Sequence, residues 1–189
     1  MKRMACSLSF VTLALTAANA SANQITEDMI TDAQSRWAQG IVSIGEAKLS
    51  DQDYAAYAEK MISELYDYEK YGVLFKPTKA KSDQFRETFE EAHSYFVTGV
   101  VNEDNGFAIN PWTNVRFDNH DILVMDDIAL AMGNYFFTTI NNEEVKVEYT
   151  FGYRLDESGD VKIVLHHSLL TGSIQTDRRD GSRGCRLNT

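Results

Sequence analysis

Cysteine is nearly absent from this sequence of 189 residues, which has Cys6 near its start and Cys185 near its end. Cys6 lies in a segment with the pattern of an export signal, so we expect one cysteine in the mature chain. A single cysteine forms no intramolecular disulfide, and because the remaining Cys185 lies in the polar tail, we expect no thiolate metal site and no Cys–His catalytic pair. The mature chain must therefore be held together by a hydrophobic core, for which a single domain of this length suffices.

Basic residues are scarce as well, with 18 lysines and arginines against 28 aspartates and glutamates. Loss of Lys2 and Arg3 with the signal leaves 16 basic residues and a formal charge near −12. A surface of that sign repels phosphate groups. The composition therefore argues against nucleic acid and anionic membranes as partners.

Long apolar runs are confined to the first 22 residues, where LSFVTLALTAA follows two basic residues and precedes small-residue cleavage patterns ending at Ala20 and Ala22. This pattern predicts an exported protein, periplasmic or secreted, with a signal peptide over 1–22. No later run approaches the roughly 18 apolar residues that suggest a membrane-spanning helix, so we expect no membrane association after signal removal. We expect one domain over 23–170 and a polar, disordered tail over 171–189.

Several motifs of known enzyme classes are also missing. The sequence has no phosphate-binding glycine loop, no G-x-S-x-G elbow, no H-E-x-x-H pair and no calcium loop. Its four histidines are His93, His120, His166 and His167. A three-histidine zinc site would require His93, His120 and one of the adjacent pair to converge, and no characteristic spacing supports that.

Three segments in the first half have helical periodicity. Apolar residues recur at helical spacing over 26–44, with Thr26 placed to cap the helix, and over 54–65, after a capping-box pattern that begins at Ser50. A third helix is predicted from Ser82, with one apolar stripe formed by Phe85, Phe89, Ala92 and Phe96.

Strand patterns surround and follow the third helix. The stretch YGVLFKPT predicts a short strand ended by Pro77, and four period-two segments follow: NVRFDNHDILVM, IALAMGNYFFTTI, EVKVEYTFGYRL and VKIVLHHSLL. Polar turns predict that the last three form an antiparallel meander. The order predicts an α+β domain with three N-terminal helices on one face of a curved antiparallel sheet. Apolar residues on both sheet faces further predict a homodimer.

The most unusual stretch is VLHHSLL, residues 164–170. Because side chains alternate across a strand, His166 and Ser168 share one face, while His167 lies with Leu165 and Leu169 on the other. His167 alone is typical of a structural histidine at a sheet or subunit surface. His166 and Ser168 form a candidate site if further polar groups reach their face.

Two other residues are candidates with open alternatives. On a helical projection Tyr95 and His93 lie at the borders of the buried stripe of helix three. Tyr95 either aims its hydroxyl into a cavity between helix and sheet or is a rim tyrosine with a hydrated hydroxyl. Thr78, directly after Pro77, is by itself typical of a turn hydroxyl bonded to nearby backbone.

Six blocks occur in order over residues 71–168: LFKPT, SYFVTG, GFAINPW, AMGNYFFTT, VKVEYTFGY and IVLHHS. Together they resemble the iota-class carbonic anhydrases, relatives of the calcium/calmodulin-dependent protein kinase II association domain within the NTF2-like superfamily. The resemblance implies a cone of helices against a bent sheet. It also implies a lyase that reversibly hydrates CO2 to bicarbonate.

The resemblance also implies site residues. Metal-independent members have a pocket lined by a threonine, a tyrosine and a serine with a histidine nearby, which correspond here to Thr78, Tyr95, Ser168 and His166. No cofactor is then expected, although members described with zinc or manganese leave a metal open. This chain departs from the common HHSS block at Leu169. Since that residue lies on the face opposite His166, the pocket should be unaffected.

The expected chemistry is that the three hydroxyls orient a water molecule and bind the developing bicarbonate, while His166 accepts or relays the proton. Two other functions stay open. One is a non-catalytic ligand-binding or oligomerisation module, because a shared fold does not determine function. The other is a small-molecule isomerase or hydrolase, which would be expected to place a carboxylate base in the pocket.

Overall fold

The computed structural model describes residues 24–170. The expected signal peptide and the polar tail lie outside these residues. The helices are α1 (Glu27–Leu49), α2 (Tyr54–Leu65) and α3 (Phe89–Val97). The strands are β1 (Leu74–Lys76), β2 (Trp112–Met125), β3 (Ile128–Thr139), β4 (Glu144–Leu155) and β5 (Val161–Leu170). Within the described range, no helix has the length and apolar character needed to cross a membrane.

One five-stranded sheet carries the helices on its inner face, and its strand order is β1-β5-β4-β3-β2. Strands β2 to β5 form an antiparallel meander, which confirms the predicted hairpins and the α+β class. The short β1 lies parallel to β5 at the sheet edge, with Phe75 opposite His166. The sequence predicted β1 as a strand without indicating this partner.

The caps of the first two helices differ in part from the prediction. Thr26 caps α1 as expected, since its hydroxyl accepts a hydrogen bond from the backbone N–H of Met29. However, α1 continues to Leu49, and Ser50 is its C-terminal cap. Asp53 caps α2 instead, so the capping box predicted at Ser50 is wrong.

Helix α3 begins seven residues later than Ser82, the predicted start. Thr88 and Glu91 form the actual capping box, in which each side chain accepts a hydrogen bond from the other residue's backbone N–H. Phe85 is therefore outside the helix and is 54% exposed, so it does not belong to the buried stripe.

Tertiary contacts hold the segment before α3 in a non-helical path. The Glu103 carboxylate accepts hydrogen bonds from the backbone N–H groups of residues 81–83. The fully buried Arg86 donates from its side chain to Asp104 and from its backbone N–H to the Phe75 carbonyl. These contacts fasten the segment that follows Thr78 to the loop after α3.

The core lies between the helices and the inner face of the sheet, and Trp37 of α1 is at its centre. This indole is 1% exposed and stacks on Tyr135 with ring centroids 5.7 Å apart. Its edges contact the rings of Phe151 and His166. The aromatic core therefore extends without a break to the strand that carries the candidate histidine.

Candidate active site

Strand β5 places its polar residues as the alternation predicted. His166 and Ser168 are each 2% exposed and face the helices. His167 and Leu169 are exposed on the outer face of the sheet. The replacement of the family's second serine by Leu169 therefore lies away from the interior.

Thr78 and Ser168 form the closest polar contact of the site. Their hydroxyl oxygens are 2.7 Å apart, and either hydroxyl can donate. The parallel pairing of β1 with β5, with Phe75 opposite His166, brings the two residues together. Thr78 thus bonds to a side chain 90 residues away, and the turn role considered from its sequence position alone does not describe this contact.

Tyr95 of α3 is 5% exposed and directs its hydroxyl inward. That oxygen is buried and has no hydrogen-bond partner in the described part of the chain. Burial raises the pKa of Tyr95, with a smaller rise from Tyr135, while the Lys79 backbone and the Thr78 hydroxyl, which are near but outside hydrogen-bond geometry, lower it. The phenol is therefore a neutral donor beside Thr78, and the rim position considered for it is wrong.

His166 lies in an aromatic enclosure, with the rings of Phe75 and Phe151 at centroid distances of 4.5 Å and 4.1 Å. Its Nδ1 is 2.9 Å from the Tyr66 hydroxyl, and its Nε2 is 3.5 Å from the Tyr135 hydroxyl. Burial, and then the charge of His167, lowers the pKa of His166 well below its usual value. The ring is thus neutral, and its hydrogen bonds are to tyrosines rather than to Thr78 or Ser168.

Tyr135 of β3 connects the histidine with the hydroxyl pair. It is 1% exposed, and burial raises its pKa, whereas hydrogen bonding to Ser168 and Thr78 lowers it. We call Thr78, Ser168, Tyr95 and Tyr135 the hydroxyl cluster. No hydrogen bond joins these four residues to a carboxylate within residues 24–170. The nearby Glu103 and Asp104 carboxylates line a cavity beside Tyr95 and bond to backbone N–H groups and to Arg86 instead.

Sequence reasoning missed Tyr135, Tyr66 and Trp37. The alternation of NYFFTT places Tyr135 on the same strand face as Phe137, which was an available signal. Tyr66 gives no local signal, because it caps the end of α2 and reaches a histidine 100 residues further along the chain.

A cavity of about 370 Å³ adjoins the cluster at Tyr95. Lys79 and Phe107 also line it, with the ammonium group 5.9 Å from the centre of the aromatic ring. Thr78, Ser168 and His166 do not line this cavity. The cavity therefore reaches the Tyr95 side chain, whose hydroxyl points away from it into the cluster.

The three-histidine metal site considered from the sequence is not formed. His93 is half-buried, with its Nε2 3.1 Å from the Ala55 carbonyl oxygen, while His120 is exposed on β2. Over the described range, no group of three or more histidine, cysteine, aspartate or glutamate side chains could hold a metal ion.

Solved structures with low sequence identity share the fold. A protein from Xanthomonas campestris named for the calcium/calmodulin dependent protein kinase II association domain matches with a TM-score of 0.56 and 19% identity, over 77% of this chain and 87% of that one. A member of the NTF2-like family from Streptomyces avermitilis matches with a TM-score of 0.51 and 13% identity, over 77% and 96%. These matches confirm the NTF2-like fold.

Two closer comparisons concern activity. A metal-independent carbonic anhydrase from Nostoc sp. is 36% identical over 152 residues, which cover 77% of this chain and 74% of that protein. The crystal structure of a cyanobacterial iota-carbonic anhydrase complexed with bicarbonate matches with a TM-score of 0.75 and 32% identity, over 87% of this chain and 99% of that one. The family model described as metal-independent carbonic anhydrase matches residues 28–170. The chain therefore belongs to the metal-independent carbonic anhydrases, the iota class that its sequence blocks indicated.

Proposed function

We propose that the protein catalyses the reversible hydration of CO2 to bicarbonate at the hydroxyl cluster. The observation that carries this proposal is the 2.7 Å contact between the Thr78 and Ser168 hydroxyls, next to the unpartnered hydroxyl of Tyr95. The cyanobacterial relative was solved with bicarbonate, which is the product of this reaction. The family description also agrees with the expectation that no cofactor is needed.

In the hydration step a water oxygen bonds to the carbon of CO2, one C=O electron pair moves onto oxygen, and the water loses a proton. Negative charge therefore grows on the CO2 oxygens. Hydroxyl donors fixed in advance stabilise that charge more than they stabilise neutral CO2, so they lower the barrier. Tyr95 has a donor without a partner, and the Thr78–Ser168 pair supplies a second one.

The proton leaves to water or buffer from the hydroxyl cluster. His166 takes part as a neutral ring that contacts the cluster through Tyr135. Because burial lowers the pKa of His166, the ring is a weaker proton acceptor than an exposed imidazole. This role replaces the sequence-based expectation that His166 accepts or relays the proton.

Exchange of ¹⁸O between CO2 and water tests the proposal, because it reports hydration and dehydration at equilibrium. We expect Thr78→Val to lower the exchange rate at least about tenfold, since an aligned donor is worth roughly 10² to 10³ in rate. Thr138→Val is the matched control, because Thr138 is a half-buried threonine of β3 that lies next to the inward Phe137. Equal exchange rates in the two variants would refute the assignment of the site to Thr78.

We further propose that the outer face of the sheet forms a homodimer with a second copy of the chain. Met132 and Leu123 expose 55% and 57% of their surface on this side. An adjoining groove of about 530 Å³ is lined mainly by apolar residues, among them Leu74, Phe85 and Leu165. An apolar surface of this extent is typical of an interface.

Sedimentation equilibrium tests the dimer. We expect Met132→Glu to give a monomer, because a charge would be buried without a partner in the interface. Val100→Glu, at a position 65% exposed on the loop after α3, should leave the dimer intact. A monomeric unmodified protein at micromolar concentration would refute the interface.

Export to the periplasm or beyond is the third part of the proposal and rests on the N-terminal sequence pattern. Mass spectrometry of the secreted or periplasmic protein should find an N-terminus near Ser21 or Asn23. Folded cellular protein that retains Met1 would contradict export.

A further inference from the structure

A run of hydrogen bonds leads from the centre of the core to the hydroxyl cluster. The Trp37 indole N–H donates to the Tyr66 hydroxyl oxygen over 2.8 Å. The same hydroxyl lies 2.9 Å from Nδ1 of His166. Nε2 of that ring faces the Tyr135 hydroxyl at 3.5 Å, a long contact at the edge of hydrogen-bond range.

The direction of the first two bonds follows from counting protons. An indole N–H can only donate, so the Tyr66 oxygen must accept from Trp37. The one proton of Tyr66 then needs an acceptor, and within residues 24–170 the remaining partner of its oxygen is Nδ1 of His166. If Nδ1 carried a proton instead, the buried Tyr66 proton would have no acceptor, which costs free energy.

A neutral imidazole carries one proton, so an acceptor at Nδ1 requires a proton at Nε2. The Nε2–H group then points towards the oxygen of Tyr135. Tyr135 accepts from the ring and keeps its own proton, which is free to be donated towards the nearby Ser168 and Thr78 hydroxyls that lower its pKa. Each donor along the run therefore points away from Trp37 and towards the cluster.

We propose that Trp37 and Tyr66 are positioning residues that hold His166 as its neutral Nε2–H tautomer, so that the run presents a donor to the hydroxyl cluster. This inference rests on the proposed function, in which the cluster stabilises developing negative charge. A run of the opposite direction would present lone pairs there and would repel the anion. Trp37 and Tyr66 thus set the orientation of the donors from within the core, and they act on the hydroxyl cluster only through His166 and Tyr135.

The same run cannot carry the reaction's proton away. A proton passed inward from the cluster would reach Trp37, and a protonated indole nitrogen accepts nothing. The inner end of the run is buried, since Trp37 and Tyr66 expose 1% and 3% of their surface. The proton must therefore leave from the hydroxyl cluster, at the end of the run opposite Trp37.

Long-range ¹H–¹⁵N correlation spectra of the unmodified protein test the tautomer directly. The ring signals are assigned with the variants His93→Gln, His120→Gln and His167→Gln. We expect an unprotonated Nδ1 and a protonated Nε2 for His166 at pH 7. A protonated Nδ1, a mixture of tautomers or an imidazolium would overturn the inference.

Tyr66→Phe tests the positioning role. Loss of the donor to Nδ1 should allow the second tautomer to appear in the spectra and should lower the hydration rate about two- to tenfold, the effect of one ordinary hydrogen bond. Tyr153→Phe is the matched control, because its hydroxyl is equally buried and has no partner in the described residues. It should change neither the spectra nor the rate.

The outcomes separate the inference from the proposed function. An unchanged tautomer and rate in Tyr66→Phe would overturn the positioning role, even with full carbonic anhydrase activity. An Nε2–H tautomer in unmodified protein that does not hydrate CO2 would overturn the proposed function alone.

Discussion

Ser168→Ala is the substitution that most sharply separates catalysis from folding. It removes one oxygen atom from a side chain that is 2% exposed and leaves the Thr78 hydroxyl without its partner at 2.7 Å. A well-aligned donor to a developing anion is worth roughly 10² to 10³ in rate. In the resting site the Thr78 and Ser168 hydroxyls hydrogen-bond to each other. Because that bond must break before its donor can turn to the anion, the net rate effect is smaller than this range. We therefore expect a loss of at least about tenfold.

The expected loss of stability is small by comparison. Removal of one buried hydrogen bond costs about 1 kcal/mol, and an unsatisfied buried hydroxyl brings the range to about 1–3 kcal/mol. Because Thr78 is half-buried, we expect the loss in the free energy of unfolding to lie at the lower end of this range. Ser94→Ala is a matched control, since Ser94 is fully buried and accepts a hydrogen bond from the backbone N–H of Val101 over 3.0 Å.

Stopped-flow CO2 hydration with a pH indicator, together with urea unfolding of the same samples, measures both quantities. Ser168→Ala should lose activity and Ser94→Ala should retain it, at similar losses in the free energy of unfolding. Full activity in folded Ser168→Ala would refute the reasoning. So would equal activity losses in the two variants.

Three other predictions follow from the site. Tyr95→Phe removes a donor to the developing anion, so the hydration rate should fall at least about tenfold. Because the hydroxyl has no partner within the described residues, the urea midpoint should hardly change. An unaltered rate would contradict the donor role of Tyr95. Burial lowers the pKa of His166 in the folded protein below the value of 6.5 in an unfolded chain, so the unfolded state binds one more proton at low pH. The free energy of unfolding should therefore fall as the pH drops below about 6.5 and stay level above it. His166→Asn should reduce that slope in urea titrations at pH 5, 6 and 7, and an unchanged slope would refute the assignment. Arg86→Met leaves the Asp104 carboxylate buried without its partner, so the free energy of unfolding should fall by about 3–5 kcal/mol. A loss under about 1 kcal/mol would show that the Arg86–Asp104 pair does not hold the Thr78 segment in place.

The predicted strands lie within about two residues of the observed β2 to β5, because period-two alternation and polar turns are local signals. Helix α3 was predicted from the wrong residue for the opposite reason. Ser82 and Phe85 have local helix features, but Arg86 and Glu103 bind the segment through contacts about 20 residues apart. Such competition between local and tertiary contacts is not visible in periodicity.

The candidate site was predictable in part. Alternation alone placed His166 and Ser168 on one face and His167 on the other. Thr78 required the family resemblance, because its position after Pro77 has a simpler explanation as a turn. The direction of the hydrogen bonds at His166 was not predictable, since it depends on Trp37 and Tyr66, which lie more than 90 residues earlier in the chain.

Stopped-flow CO2 hydration by chelator-treated protein, with metal content measured on the same sample, tests the central claim most directly. We predict full activity at a metal content far below one ion per chain, because buried neutral hydroxyls supply the stabilisation. Activity that disappears with the metal and returns with added zinc or manganese would contradict the hydroxyl mechanism. No hydration with or without added metal would contradict the proposed function and favour a binding module.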